Sequence, residues 1–288
     1  MAEEQAVGGH VQGVGATRRT DNWWLEPLWT GLGFLIFSVY TTWAAFQGAY
    51  YWVGDEAGGY LSPFYSPVLL VDTSAAGSVP LSHAWFGVWP EWLASIWPSF
   101  VPQSPAWLIL LGPLGFRLTC YYYRKFYYRA YFFTPPACAV QGVPQKKFKG
   151  ETGLLIIQNI HRYMWYVAVG YIVILSYDAY LSYWREVGGQ RQFGVGLGSI
   201  ILTINPILLG FYTFGCHSCR HLVGGRMDCF TTCDGNPKAR YSAWKKVTWL
   251  NERHMLWAWV SMVWVGLTDY YVRMVATGNI TDPNTWGM

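Results

Sequence analysis

The stretch from Leu28 to Val53, LWTGLGFLIFSVYTTWAAFQGAYYWV, contains no charged residue. About 20 mostly apolar helical residues cross the ~30 Å hydrocarbon layer of a bilayer, and this stretch is long enough. Trp23, Trp24 and Trp29 stand at its start, where amphipathic rings favour the membrane–water interface. Four further stretches read the same way: 106–124, 153–183, 194–215 and 251–276. The second is clean from Ala106 to Phe116, then meets Arg117 and the aromatic-basic run Tyr121–Phe133. The fourth holds Asn205-Pro206 near its middle, which predicts a kink. The expected fold is an all-α integral membrane protein, a five-transmembrane-helix bundle with a long outer loop. Its parts are a polar N-terminal tail (1–26), a membrane domain (27–276) and an outer C-terminal tail (277–288).

Composition agrees. Charged residues make up 12% of the 288, about half the share usual in a soluble domain. Aromatics reach 19%, with 18 Trp and 21 Tyr. An apolar content of 52% excludes a disordered chain. A net charge of +4 is no electrostatic footprint for nucleic acid, so none is expected as a partner. The first 22 residues are polar and Gly-rich, without the apolar core of a signal peptide.

Basic residues set the orientation. Segment 124–149 holds six, segment 216–253 holds seven, and the tail holds Arg18 and Arg19. Loop 54–105 and segment 274–288 hold none, and 184–193 holds two. With five spans, the three basic segments share one side, which is therefore cytoplasmic. The N-terminus and the loops 125–152 and 216–250 belong to that side. The loop 54–105 and the C-terminus lie outside. This loop, with Trp85, Trp89, Trp92 and Trp97, reads as a lid on the outer membrane face.

The six cysteines fall at or near the cytoplasmic side, where structural disulfides are rare. The dense piece is Cys216-His217-Ser218-Cys219-Arg220-His221. It offers a C-x-x-C and a Cys-x-His. Thiolate pairs suit zinc or iron–sulfur clusters, and two imidazoles suit zinc or the second iron of a Rieske centre. His161 and His254 sit early in the third and fifth spans, which both start from the cytoplasmic side. They come to a similar height as Cys216, and ionisable residues inside a membrane usually serve function. Cys229 and Cys233 read as loop thiols. Cys120 and Cys138 read as small buried residues, with Cys120 within reach of the site. Arg117 faces either the bundle, near a cluster or a quinone carbonyl, or the headgroups by snorkelling. Asp178 and Asp269 lie near the outer helix ends, as proton carriers or as partners for neighbours.

Several strings together carry a resemblance. They are Ser62-Pro63-Phe64-Tyr65-Ser66-Pro67, Gly115-Phe116-Arg117-Leu118-Thr119-Cys120-Tyr121-Tyr122-Tyr123-Arg124-Lys125, Gln158-Asn159-Ile160-His161-Arg162-Tyr163, the hexapeptide 216–221, and Leu267-Thr268-Asp269. The chain resembles the single-chain membrane anchor of actinobacterial succinate dehydrogenase, in the succinate:quinone oxidoreductase (complex II) family. The resemblance covers roughly residues 22–282. It implies an electron-transfer subunit that docks a flavoprotein and an iron–sulfur subunit at the cytoplasmic face. It implies a membrane-embedded Rieske-type [2Fe–2S] cluster and membrane quinone, with menaquinone expected, and no catalysis by this chain alone. The classical Rieske pattern pairs C-x-H with a separate C-x-x-H. Here the residues are compressed into one hexapeptide, so that ligand set does not carry over. The expected thiolates are Cys216 and Cys219, with imidazoles drawn from His161, His254, His217 and His221. Arg117 is placed in the cluster or quinone environment. Two alternatives stand beside this reading: a haem b anchor with His161 and His254 as axial ligands, and a non-redox scaffold stapled by zinc.

Overall fold

A computed structural model describes residues 13–54, 59–144, 150–225 and 237–286. Cys229 and Cys233 lie outside the described residues. The chain is mostly helical, at 58%. Three helical stretches among the described residues are long and apolar enough to cross a membrane. They are α1 (Leu25–Gln47), the segment Asn159–Leu181 of α6 (Gly150–Leu181), and α7 (Leu197–Phe214). Helix α10 (His254–Ala276) matches α1 in length, 23 residues each. It carries His254, Asp269 and Arg273, which lower its hydropathy, and it is not one of those three.

The expected second span, 106–124, is not one helix. It divides into α3 (Ala106–Ile109), α4 (Leu111–Thr119) and α5 (Tyr121–Ala130). The break falls at Cys120, whose backbone is extended (φ −66°, ψ 139°). Charge on the next helix is the physical reason. The run Tyr121–Ala130 carries Arg124, Lys125 and Arg129, and it turns away to lie against the foot of α1. There Lys125 and Arg129 reach the Glu26 carboxylate at 3.0 and 3.6 Å. Gly31 admits this approach: a Cβ added there would stand 3.2 Å from that of Ala130. The first span ends at Gln47 rather than Val53, because Gly48 takes a left-handed conformation (φ 59°) and caps the helix. The fifth begins at His254. A separate helix, α9 (Pro237–Glu252), precedes it. The predicted kink leaves α7 helical throughout, with Pro206 inside it.

Helices α4, α6, α7 and α10 pack in series, and α1 rests on α5 and α10. Much of their outer surface is apolar and open. On α1, Leu32, Leu35, Ile36 and Val39 are all exposed. Exposed apolar surface on this scale marks a membrane-facing protein. One end is closed by the connection from α1 to α3. Its short strands β1 (Trp52–Val53) and β2 (Tyr60–Leu61) pair antiparallel, and α2 (Glu91–Ile96) lies further along it. A ribbon of β3 (Trp184–Val187) and β4 (Gln190–Phe193) joins α6 to α7 at the same end. Its two-residue turn is Gly188-Gly189, both at positive φ (60° and 76°), as such a tight turn demands.

This lid end is fastened by buried polar groups. Asp269 accepts hydrogen bonds from Tyr40 (2.6 Å) and Ser62, and pairs with the fully buried Arg273 at 2.7 Å. Arg273 also donates to Gln47 Oε1 (2.7 Å) and the Ala49 carbonyl (2.8 Å). Ser66 donates to Asp178. Asp282 takes the Gly198 N–H at the start of α7 (2.8 Å) and the hydroxyls of Tyr60 (2.6 Å) and Tyr271 (2.5 Å). Asp178 and Asp269 are thus partners of their neighbours.

Candidate metal centre at the opposite end

Opposite the lid, the short helix α8 (His217–Gly224) packs against α9 and meets α6 and α7. Helix α7 stops at Gly215, and Cys216 is the N-cap of α8. Its Sγ accepts from the Ser218 backbone N–H at 3.4 Å. The thiol is buried, and loss of solvation pushes it up to about 12. It therefore keeps its proton until something positive replaces it. The extended backbone at Cys216 solves a problem of direction. Neighbours on a helix point ~100° apart, but here the helix breaks between Gly215 and His217.

His161 comes from α6. Its Nε2 lies 3.1 Å from Cys216 Sγ, and its Nδ1 lies 2.8 Å from Thr119 Oγ1. The ring stacks on Phe116 at 4.8 Å, with planes 3° apart. Thr119 has one hydroxyl proton, and it bonds the Gly115 carbonyl at 2.7 Å. That hydroxyl then accepts from Nδ1–H of His161. The hydrogen-bond count assigns the tautomer that leaves Nε2 unprotonated toward Cys216, the form a metal ligand needs.

His254 opens α10 and is fully buried. Its ring stacks on Tyr212 at 4.9 Å (15°), and its Nε2 lies 3.6 Å from Cys120 Sγ. Its Nδ1 is buried without a partner. Gly215 makes this fit possible, since a Cβ there would crowd Nδ1 at 3.2 Å. Asn251 pins the Gly215 carbonyl at 2.7 Å. Cys120 sits buried at the α4–α5 break.

These groups line one cavity of about 770 Å³, which Cys120, His161, Cys216 and His254 share with Arg124, Arg162 and Arg220. No described carboxylate lines it. Of the expected site residues, His161, Cys216 and His254 come together here. His217 and His221 also line the cavity but are exposed. Cys219 is buried in the adjoining aromatic core, where burial raises its thiol, and is not on the cavity wall. Cys120, read from sequence as a small buried residue within reach of the site, is buried and lines the cavity. Its sequence signal is its place within the string Gly115–Lys125, and its position on the wall depends on the break in the helix there.

Arg117 does not snorkel. It is buried and donates to Tyr123, the Ala258 carbonyl (3.0 Å) and Ser261 (3.2 Å), with its guanidinium 5.0 Å from the Tyr212 ring. It lies one layer below the cavity and ties α4 to α10.

The donors form two Cys–His pairs, Cys216 with His161 and Cys120 with His254. No three described His, Cys, Asp or Glu side chains gather closely enough to hold one metal ion.

Residues 25–278 match the family described as actinobacterial succinate dehydrogenase subunit SdhC. The chain is similar to a chain of the Mycobacterium smegmatis Sdh1 complex in the apo form, at 44% identity, with 92% of each chain covered and a TM-score of 0.76. Comparison with curated proteins gives no match. The chain belongs to the actinobacterial SdhC family, and is the membrane subunit of a succinate dehydrogenase complex, an oxidoreductase in which this subunit alone is not catalytic.

Proposed function

We propose that this chain is the multi-pass anchor that holds a Rieske-type [2Fe–2S] cluster for electron transfer to membrane quinone. The observation that carries this reading is the convergence of two buried thiols and two buried imidazoles, from four elements, on one cavity. A [2Fe–2S] centre of the Rieske kind takes two Cys on one iron and two His on the other. The two thiols and two imidazoles on the cavity match that donor count. The unprotonated Nε2 of His161, beside Cys216 Sγ, suits a metal ligand.

Cys120, Cys216, His161 and His254 would hold the cluster. When bound, it supplies one-electron transfer between a docked iron–sulfur subunit and quinone, menaquinone being expected. The chain's own residues do the rest. Phe116 and Tyr212 hold the imidazoles by stacking. Thr119 fixes the His161 tautomer. Arg124, Arg162 and Arg220 make the cavity positive, which favours added electrons over their loss. His217 and His221 frame the mouth rather than ligate, and Cys219 packs in the core beside it.

The basic helices α5 and α9 lie at this end, and the lid has no Lys or Arg between 54 and 105. Five passes, with the N-terminus and the site on the cytoplasmic side and the C-terminus outside, are what the positive-inside rule gives. The cavity then faces the flavoprotein and iron–sulfur subunits.

Low-temperature EPR and an optical spectrum of the dithionite-reduced complex test the reading. An added [2Fe–2S] signal of low average g, lost in Cys216→Ser, supports it. Haem bands without that signal, or stoichiometric zinc with neither, overturn it.

A further inference from the structure

A second cavity lies on the lid side of Arg117, separated from the site by the layer of Phe116, Arg117 and Tyr212. It measures about 360 Å³. That is more than twice the ~150 Å³ apolar cavity known to accept a benzene. Its wall runs from that layer to Ala45, Phe64 and Trp107 below the lid.

Few polar groups on this wall are open: Arg117, Thr41 and Tyr171 have partners, while the Tyr212 hydroxyl and the Trp107 indole N–H are buried without one. Arg117 is engaged by Tyr123, Ala258 and Ser261. Thr41 donates to the Phe37 carbonyl (2.8 Å), and Tyr171 to the Ile109 carbonyl (2.7 Å). Ordered water needs two to four polar partners, so this space suits hydrocarbon. Left as a void, it would forfeit dispersion contacts along its whole lining.

The cavity also has a door. Leu111 and Leu114 of α4 line it, yet they are 64% and 46% exposed. Helix α1 forms the facing wall and packs on α5 and α10, barely touching α4. At the lid end, the indole N–H of Trp107 is buried without a partner. A donor there suits an ester carbonyl at the head of a chain that enters from the lid-side leaflet.

We propose that this chamber binds one acyl chain of a membrane glycerolipid, inserted between α1 and α4, which fills the gap that helix packing leaves. The acyl chain is an integral part of the bundle, and it holds α1 against α4. This inference stands independently of the metal centre.

The test uses the intact complex in nanodiscs of a phospholipid with a diazirine at mid-chain. After irradiation, adducts are mapped by mass spectrometry. Adducts are expected at Phe37, Ser38 and Thr41 and at Leu110, Leu111 and Leu114. Ser38→Phe fills the chamber from α1 and should abolish them, and Thr41→Phe is the second variant should the first fail to assemble. Succinate oxidation with a water-soluble acceptor reports assembly in both. Adducts confined to the outward Leu35, Ile36 and Val39, unchanged in the variants, overturn the proposal. So does labelling of these chamber residues by a diazirine quinone but not by the phospholipid.

Discussion

His161 Nε2 lies 3.1 Å from Cys216 Sγ, although 55 residues separate them. The contact joins α6 to the break between α7 and α8. It places a neutral imidazole nitrogen against a buried sulfur, beside the second pair formed by Cys120 and His254 at 3.6 Å. Two such pairs share one cavity, and Cys219 is not on its wall.

The two cysteine assignments separate cleanly in mutants. Cys120→Ser and Cys216→Ser should each remove the cluster, leaving less than about a tenth of the iron and the EPR signal that this subunit contributes. Cys219→Ser should keep both, as should Cys138→Ser, which is exposed. Iron content per complex, corrected for the partner subunits' clusters, is the measurement. Loss of the signal in Cys219→Ser with retention in Cys120→Ser would sink the four-donor assignment.

Thr119 acts through His161. Thr119→Val keeps the volume but removes the acceptor for Nδ1–H, so the tautomer is no longer fixed. Loss of such a partner typically costs about 10- to 100-fold in metal affinity. Thr119→Ser restores the hydroxyl and should restore occupancy. Cluster retention during titration with a chelator reads the difference.

The Asp269–Arg273 pair is a structural lock. Both side chains are buried, and removing one partner strands the other charge. Asp269→Ala should destabilise the subunit by ~3–5 kcal/mol. The apparent melting temperature of the complex in detergent should fall, while the EPR signal of the surviving complex stays unchanged. An unaltered melting temperature would show that the lid is held by other contacts.

Asp282 caps α7 from the far end of the chain. Asp282→Ala removes the acceptor for Gly198 N–H and two tyrosine hydroxyls. The lost cap alone is worth ~1 kcal/mol. The segment 279–286 should become sensitive to limited proteolysis, with Asp282→Asn intermediate between the two.

Topology is open to a labelling test. Phe100 on the lid is 80% exposed, and Cys138 beyond α5 is exposed. In intact cells, a membrane-impermeant maleimide should label Phe100→Cys and not Cys138. Permeabilised cells should label both. The reverse pattern would invert the orientation.

Sequence alone settled what depends on composition and local pattern. Low charge and long apolar stretches such as Leu28–Val53 announce a membrane protein. The lopsided basic residues give an expected orientation, because that rule counts residues and needs no contacts. His161, His254 and Cys216 were legible as candidates for a related reason: polar donors at matching depth in apolar helices stand out. What sequence left undecided depends on where the backbone bends. The break at Cys120 comes from α5 turning to meet Glu26, a residue nearly a hundred positions away. The charges from Arg117 onward show that the span ends hereabouts, but nothing in the string fixes the break at Cys120. That bend carries Cys120 to His254 and frees Thr119 to orient His161. The C-x-x-C spacing favoured Cys219 by local proximity. Only the tertiary structure turned Cys219 into the core and placed Cys120 on the cavity wall, because convergence of four elements is a property of packing and not of spacing.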